Sequence, residues 1–145
     1  MSEIKRVGPE EALRLQREEG YRLLDVRTVE EYDAGHPAGA DNLPFMIASA
    51  EGPLVENPEF FPVLEANFQK DEKLVLSCRS GQRSLRAAEA MTARGFSQIV
   101  DQKAGFGGKK NPFGKIVDPG WEGLGLPVET QGSTGRSYAE LGKKT

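Results

Sequence analysis

The stretch from Leu74 to Arg94 sets the terms for the whole chain. It opens on an apolar run, Leu74-Val75-Leu76, short enough to be a buried strand. It closes on a helical pattern: Leu85, Ala88 and Met91 recur at helical spacing, and Ala87, Ala88 and Ala90 are strong helix formers. Tyr21 to Val26 and Ser97 to Asp101 read as further short strands, with helical segments between them. Short, uniformly apolar strands alternating with helices predict an α/β fold. Its central parallel sheet has about five strands, with helices on both faces. In such a sheet, sites lie outside the carboxyl ends of the strands. The loop after Leu76 falls there.

That loop is Cys78-Arg79-Ser80-Gly81-Gln82-Arg83, and Cys78 is the single cysteine of the chain. The first turn of the following helix leaves backbone N–H groups without intrahelical partners, and the helix dipole adds positive potential. A loop curling into that turn can aim several N–H groups at one point, an anion cradle. Gly81 permits the positive φ such a curl needs. A thiol at the centre, with Arg79 and Arg83 nearby, favours the thiolate. Cys78 is then a nucleophile whose anionic substrate or product sits among amides. The plainer alternative is a small buried hydrophobe. Two arginines within five residues weigh against an apolar surround.

Composition removes other chemistries. The chain has 145 residues, enough for one domain with a core, and 37% hydrophobic against 28% charged residues marks it as globular. A net charge of −3 gives no reason to expect nucleic acid or an anionic membrane surface as partner. One cysteine and one histidine exclude an internal disulfide and make a cysteine- or histidine-based metal site improbable. The N-terminal stretch has no apolar leader core, and no apolar run is long enough to span a bilayer. The expectation is a cytoplasmic protein in a reducing compartment.

Taken in order, Glu3 to Val7 reads as a short strand, and Gly8-Pro9-Glu10-Glu11 as a helix start. Gly20 reads as that helix's C-terminal stop. Thr28 with Glu31 forms a capping box that opens a short helix after Asp25-Val26-Arg27. Gly35 to Ala40 reads as a loop, Ala40 to Leu43 as a short strand, and Phe45 to Phe61 as irregular. Pro58 can start a helix running to about Gln69, and Gly95 sits where the central helix should end. Residues 104–120 are rich in glycine and lysine, and read either as a lid over the acceptor side or as a solvated insertion. Residues 129–145 form a polar tail, either disordered or a frayed helix from Arg136 to Leu141, so the domain is expected to cover residues 1–128.

Several polar residues carry two readings. Asp25 and Arg27 are most simply an ion pair bracing the loops at the strand ends; Arg27 could instead add positive potential at the thiolate. His36, between Gly35 and Pro37, is a hydrogen-bonded loop bracket or a general base. Glu30 and Glu31 read as helix-start charges.

Loop length narrows the chemistry. Cysteine phosphatases close their cradle with an arginine at the sixth position after the cysteine. Here that position is Ser84, and Arg83 comes one residue early. A tighter ring suits a terminal sulfur better than a phosphoryl group. The CRSGQRS run resembles the active loop of the rhodanese family of sulfurtransferases. The resemblance extends to Asp25, Arg27, Glu31-Tyr32, Gly35-His36, Gly39-Ala40 and Asn42-Leu43-Pro44, in register, with Pro37 where the family usually has isoleucine. Gly107-Gly108, Trp121, Gly125 and Pro127-Val128 match later landmarks, but the stretch between Gly108 and Trp121 is longer than usual.

The resemblance implies a single-domain thiosulfate sulfurtransferase. Cys78 takes the outer sulfur of thiosulfate or a similar small anionic donor. The persulfide rests among the amides of Arg79, Ser80, Gly81, Gln82, Arg83 and Ser84, and Arg79 and Arg83 hold the donor. Cyanide, an external thiol or a sulfur-accepting protein then takes the sulfur. Asp25, Arg27 and His36 are supporting residues, and no cofactor or metal is required. The alternatives are a persulfide carrier, a rhodanese-like binding or redox-sensing module, and a cysteine phosphatase.

Overall fold

The computed structural model describes residues 4–79, 81–130 and 137–142. In chain order the elements are β1 (Lys5–Val7), α1 (Pro9–Glu18), β2 (Arg22–Asp25), α2 (Val29–Ala34), β3 (His36–Pro37) and β4 (Asp41–Asn42). They continue with β5 (Met46–Ala48), β6 (Leu54–Glu56), α3 (Phe60–Asn67), β7 (Leu74–Ser77), α4 (Gln82–Ala93) and β8 (Ile99–Gln102). The last are β9 (Lys109–Lys110), β10 (Ile116–Asp118), β11 (Val128–Glu129) and α5 (Tyr138–Gly142).

Five strands form one parallel sheet in the order β1-β8-β7-β2-β4. Alternation along β7 splits the core. Leu74 and Leu76 pack with Leu24, Phe60, Ala87, Ala88 and Met91 on one face. Val75 packs with Leu23, Val100, Ala12, Leu15 and Trp121 on the other. Helices α3, α4 and α5 therefore cover one face, and α1 with Tyr32 of α2 covers the other. Burying each such leucine side chain contributes roughly 2 kcal/mol.

The local signals act as the sequence predicts. Gly8 caps α1, Pro9 opens it, and Gly20 beyond its end has φ 77°. Thr28 and Glu31 form the complete capping box of α2. Gly95 follows α4 with φ 97°.

The differences lie in pairings no local period reveals. The expected loop Gly35–Ala40 contains β3, which pairs antiparallel with β11 at the far end of the chain. The irregular segment Phe45–Phe61 holds the β5–β6 hairpin, whose Leu54 and Val55 are exposed and so carry no buried period. The helix expected from Pro58 begins at Phe60. Residues 104–120 contain the β9–β10 hairpin.

Residues beyond the expected boundary at 128 also pack against the domain. Glu129 reaches His36, and α5 docks on α3: Leu141 is buried, Asn67 Nδ2 donates to its carbonyl at 2.9 Å, and Asn57 Nδ2 to Tyr138 Oη at 3.1 Å. The expected strand start at Glu3, and residues 131–136 and 143–145 of the expected tail, lie outside the described residues. Among the described residues no helix is long and apolar enough to cross a membrane.

Candidate active site

Cys78 follows β7 directly, at the carboxyl edge of the sheet. Gly81 caps α4 in the left-handed region, φ 95°. This curl brings the Gly81 N–H to 3.0 Å from Cys78 Sγ. Thus the first amide of the helix mouth points at the sulfur. Among the described residues this is the one amide that donates to Sγ, rather than the ring expected from the whole loop. Ser80, expected in that ring, lies outside the described residues. Cys78 is only 1% exposed and lies beside the apolar cluster of Leu76, Ala87 and Phe60. It is therefore both buried and polarised: a sheltered thiol with a donor on its sulfur.

The backbone of the loop is held from behind by the turn after β8. Phe106 N–H donates to the Cys78 carbonyl at 2.7 Å, and Gly107 N–H to that of Arg79 at 2.9 Å. This approach needs Gly105: a Cβ there would stand 2.6 Å from the Cys78 carbonyl oxygen. Buried Gln102 shapes the turn, accepting from the Ala104 and Gly105 N–H groups at 2.8 and 2.9 Å. On the other side Arg6 donates to the Gly81 carbonyl at 3.1 Å while its Nε pairs with Asp101 at 2.8 Å. Burial pushes the Asp101 carboxyl up, against the opposing pull of the Ser84 hydroxyl and Arg6. Ser84 is fully buried in the first turn of α4.

Arg83 does not stand free to hold an anion, as the sequence led us to expect. Its two terminal nitrogens meet both oxygens of Glu31 at 2.8 and 3.0 Å. Glu31 also accepts from the Thr28 N–H and hydroxyl. Burial raises the Glu31 carboxyl, but Arg83 and Thr28 outweigh it and bring it down from 4.5 to about 2. Arg83 is held above its ordinary value, chiefly by its hydrogen bonds to Glu31. The capping-box signal located Glu31. It could not show that the same carboxylate reaches the active loop across 52 positions.

Asp25 and Arg27 form the brace. Arg27 Nη2 meets Asp25 Oδ2 at 2.7 Å and the Gly35 carbonyl at 2.6 Å, and the guanidinium lies 4.5 Å from the Phe106 ring centroid. Asn42 closes the arrangement by donating to the Asp25 and Arg27 carbonyls. The general-base option for His36 is not supported. Its Nδ1 faces the Tyr32 carbonyl at 2.7 Å, its Nε2 faces Glu129 at 3.2 Å, and its ring stacks on Tyr32 at 3.6 Å. It is a buried bracket tying β3 to β11.

Arg79 and Gln82 line a cleft of about 880 Å³, together with Arg6, Lys109, Lys110 and Glu122. Among the described residues no group of three or more His, Cys, Asp or Glu side chains could hold a metal ion.

A family model described as "Rhodanese-like domain" matches residues 8–110. The senescence-associated protein DIN1 of Raphanus sativus is 38% identical over 87 residues, which is 60% of this chain and 47% of that protein. Thiosulfate sulfurtransferase 16, chloroplastic, of Arabidopsis thaliana is 37% identical over 87 residues, 60% of this chain and 72% of that protein. The chain spans about half the length of several curated relatives it matches. Among solved structures, Rv0390 from M. tuberculosis superposes with a TM-score of 0.71 at 26% identity, covering 90% of this chain and all of that one.

Proposed function

Because this chain belongs to the rhodanese-like domain family of sulfurtransferases, we propose that it moves a sulfane sulfur from thiosulfate to cyanide or a small thiol through a persulfide on Cys78. The observation that carries this reading is the Gly81 N–H placed 3.0 Å from Cys78 Sγ at the mouth of α4. The Cys78 thiolate attacks the outer sulfur of thiosulfate. A new S–S bond forms, the old one breaks, and its electron pair leaves with sulfite. The resulting persulfide anion carries its charge at the helix mouth, where the Gly81 N–H favours it. Cyanide then attacks the terminal sulfur, forming thiocyanate and returning the electron pair to Sγ. Arg79 attracts the donor, and Arg83, locked to Glu31, positions the loop.

The burial of Cys78 favours a second reading, a persulfide carrier that hands its sulfur to another molecule. With one cysteine in the chain, the resolving thiol must come from outside in either case.

The test is intact mass before and after thiosulfate, with cyanide turnover on the same samples. Gain of one sulfur atom on Cys78 with thiocyanate release is expected, and Cys78→Ser should lose both. The mass gain without turnover points to the carrier. A serine variant that keeps most of its rate overturns both readings.

A further inference from the structure

The cleft beside the Cys78 loop is positively charged on a chain of net charge −3. Of its cations, Arg6 is paired with Asp101. Arg79, Lys109 and Lys110 form no ion pair among the described residues, and one carboxylate, Glu122, lines the cleft against them. The volume, about 880 Å³, lies within the roughly 300–1,000 Å³ typical of small-molecule and cofactor pockets. Thiosulfate alone leaves most of it empty.

The lysines sit on a built wall. Lys109 and Lys110 are β9, paired antiparallel with β10. The base of this hairpin is fixed by two glycines: a Cβ on Gly108 would stand 2.8 Å from the Asp118 carbonyl oxygen, and one on Gly120 2.3 Å from the Gly108 nitrogen. The wall is thus anchored to the same 105–108 turn that holds the Cys78 and Arg79 carbonyls. The family match ends at residue 110, so the return strand Ile116–Asp118 lies beyond it.

Resting on the sulfurtransferase reading above, we propose that this cleft is the acceptor site, and that Lys109 and Lys110 select a thiol carrying two acidic groups. The acceptor thiolate attacks the terminal sulfur of the Cys78 persulfide. An S–S bond forms to the acceptor, the bond to Sγ breaks with its electron pair returning to Cys78, and the product leaves as the acceptor persulfide. The dianion lies along Lys109 and Lys110 while its sulfur faces the loop.

Two measurements on the whole chain test this. In the first, mercaptosuccinate, a thiol with two carboxylates, and neutral 2-mercaptoethanol compete as acceptors with thiosulfate as donor. In K109A/K110A the preference for mercaptosuccinate, as the ratio of kcat/KM values, should fall roughly fivefold or more, as loss of two partly exposed ion pairs implies. An unchanged ratio overturns the proposal, including the case where both acceptors lose rate equally. In the second, S-methyl mercaptosuccinate, which cannot accept sulfur, is titrated calorimetrically. Salt-sensitive binding to the wild type, lost in K109A/K110A, supports the site even if no thiocyanate forms, an outcome that sinks only the sulfurtransferase reading. Absence of binding to the wild type at millimolar concentration overturns the acceptor site whatever the turnover.

Discussion

Glu31 and Arg83 join two distant parts of the chain: the N-terminal cap of α2 and the first turn of α4, through paired contacts of 2.8 and 3.0 Å. One carboxylate does two jobs. It completes the capping box with Thr28 and fixes the arginine that ends the cysteine loop. Both partners are mostly shielded from water, with side chains 26% and 19% exposed. Removing one partner should therefore cost more than breaking a surface ion pair, because the other is left shielded and unpaired.

Glu31→Gln removes the charge but keeps the shape. It should destabilise the fold by about 1–3 kcal/mol, the cost of leaving a shielded guanidinium under-paired together with a weakened cap. Urea denaturation checks it. An unchanged midpoint would show that the pair contributes nothing. Thiosulfate turnover should also fall, because Arg83 then ceases to hold the loop. Glu31→Asp, too short to reach both partners, should not restore it.

The same carboxylate gives a pH signature. Its folded-state value is depressed from 4.5 to about 2. Its stabilisation is therefore complete above about pH 5 and is lost as pH falls from 4.5 towards 2. Asp101 works with the opposite sign: burial raises it, so acidification relieves a charge the fold disfavours. Comparing wild type with Glu31→Gln isolates the first effect. The stability gap between them should be widest near pH 6 and should close towards pH 2.5. A gap constant over this range would rule out the pairing.

The sheet and the cysteine loop were legible because their causes are local. Leu74-Val75-Leu76 is apolar at every position since both sheet faces are covered, and Gly81 marks the one curl that brings an amide back onto the sulfur. The capping box of Thr28 and Glu31 was equally local. What escaped depends on residues far apart in sequence. Arg83 looked free because its partner lies 52 positions away, and Arg6 sits 75 positions from the carbonyl it holds. The pairing of β3 with β11 and the docking of Leu141 follow the same rule. Gln102 gave no signal at all: a lone glutamine after a strand looks like any surface residue until its amide is found shaping the turn behind Cys78.

Three glycines separate backbone strain from lost function. Gly81, at φ 95°, has the Lys103 carbonyl oxygen 2.1 Å from where a Cβ would stand. Gly20, at φ 77°, has nothing within 4 Å of that point. Gly20→Ala should cost about 1 kcal/mol from the left-handed backbone alone and leave turnover intact. Gly81→Ala should cost about 2–4 kcal/mol and abolish turnover, since the helix mouth must move off the sulfur. Gly105→Ala should behave like Gly81→Ala, because the Arg79 carbonyl oxygen would lie at 2.5 Å. Thermal unfolding and thiocyanate release on the three variants decide it. Equal loss of turnover in Gly20→Ala and Gly81→Ala would remove the special status of the loop.

The last prediction follows from the combination of burial and polarisation at Cys78. A thiol that is 1% exposed should react slowly with a bulky reagent, because the reagent must wait for the loop to open. A Gly81 N–H on the sulfur should at the same time keep it responsive to small reagents that fit beneath the loop. Alkylation by iodoacetamide should therefore outpace thiolysis of an aromatic disulfide by at least about tenfold, after both are scaled to a free cysteine. Mild urea, below the global transition, should raise the slow rate far more than the fast one. Equal scaled rates for the two reagents would mean that the sulfur is open to solvent. Slow reaction with both would mean that Cys78 is an inert member of the Leu76–Phe60 cluster, with the amide contact serving only to cap α4.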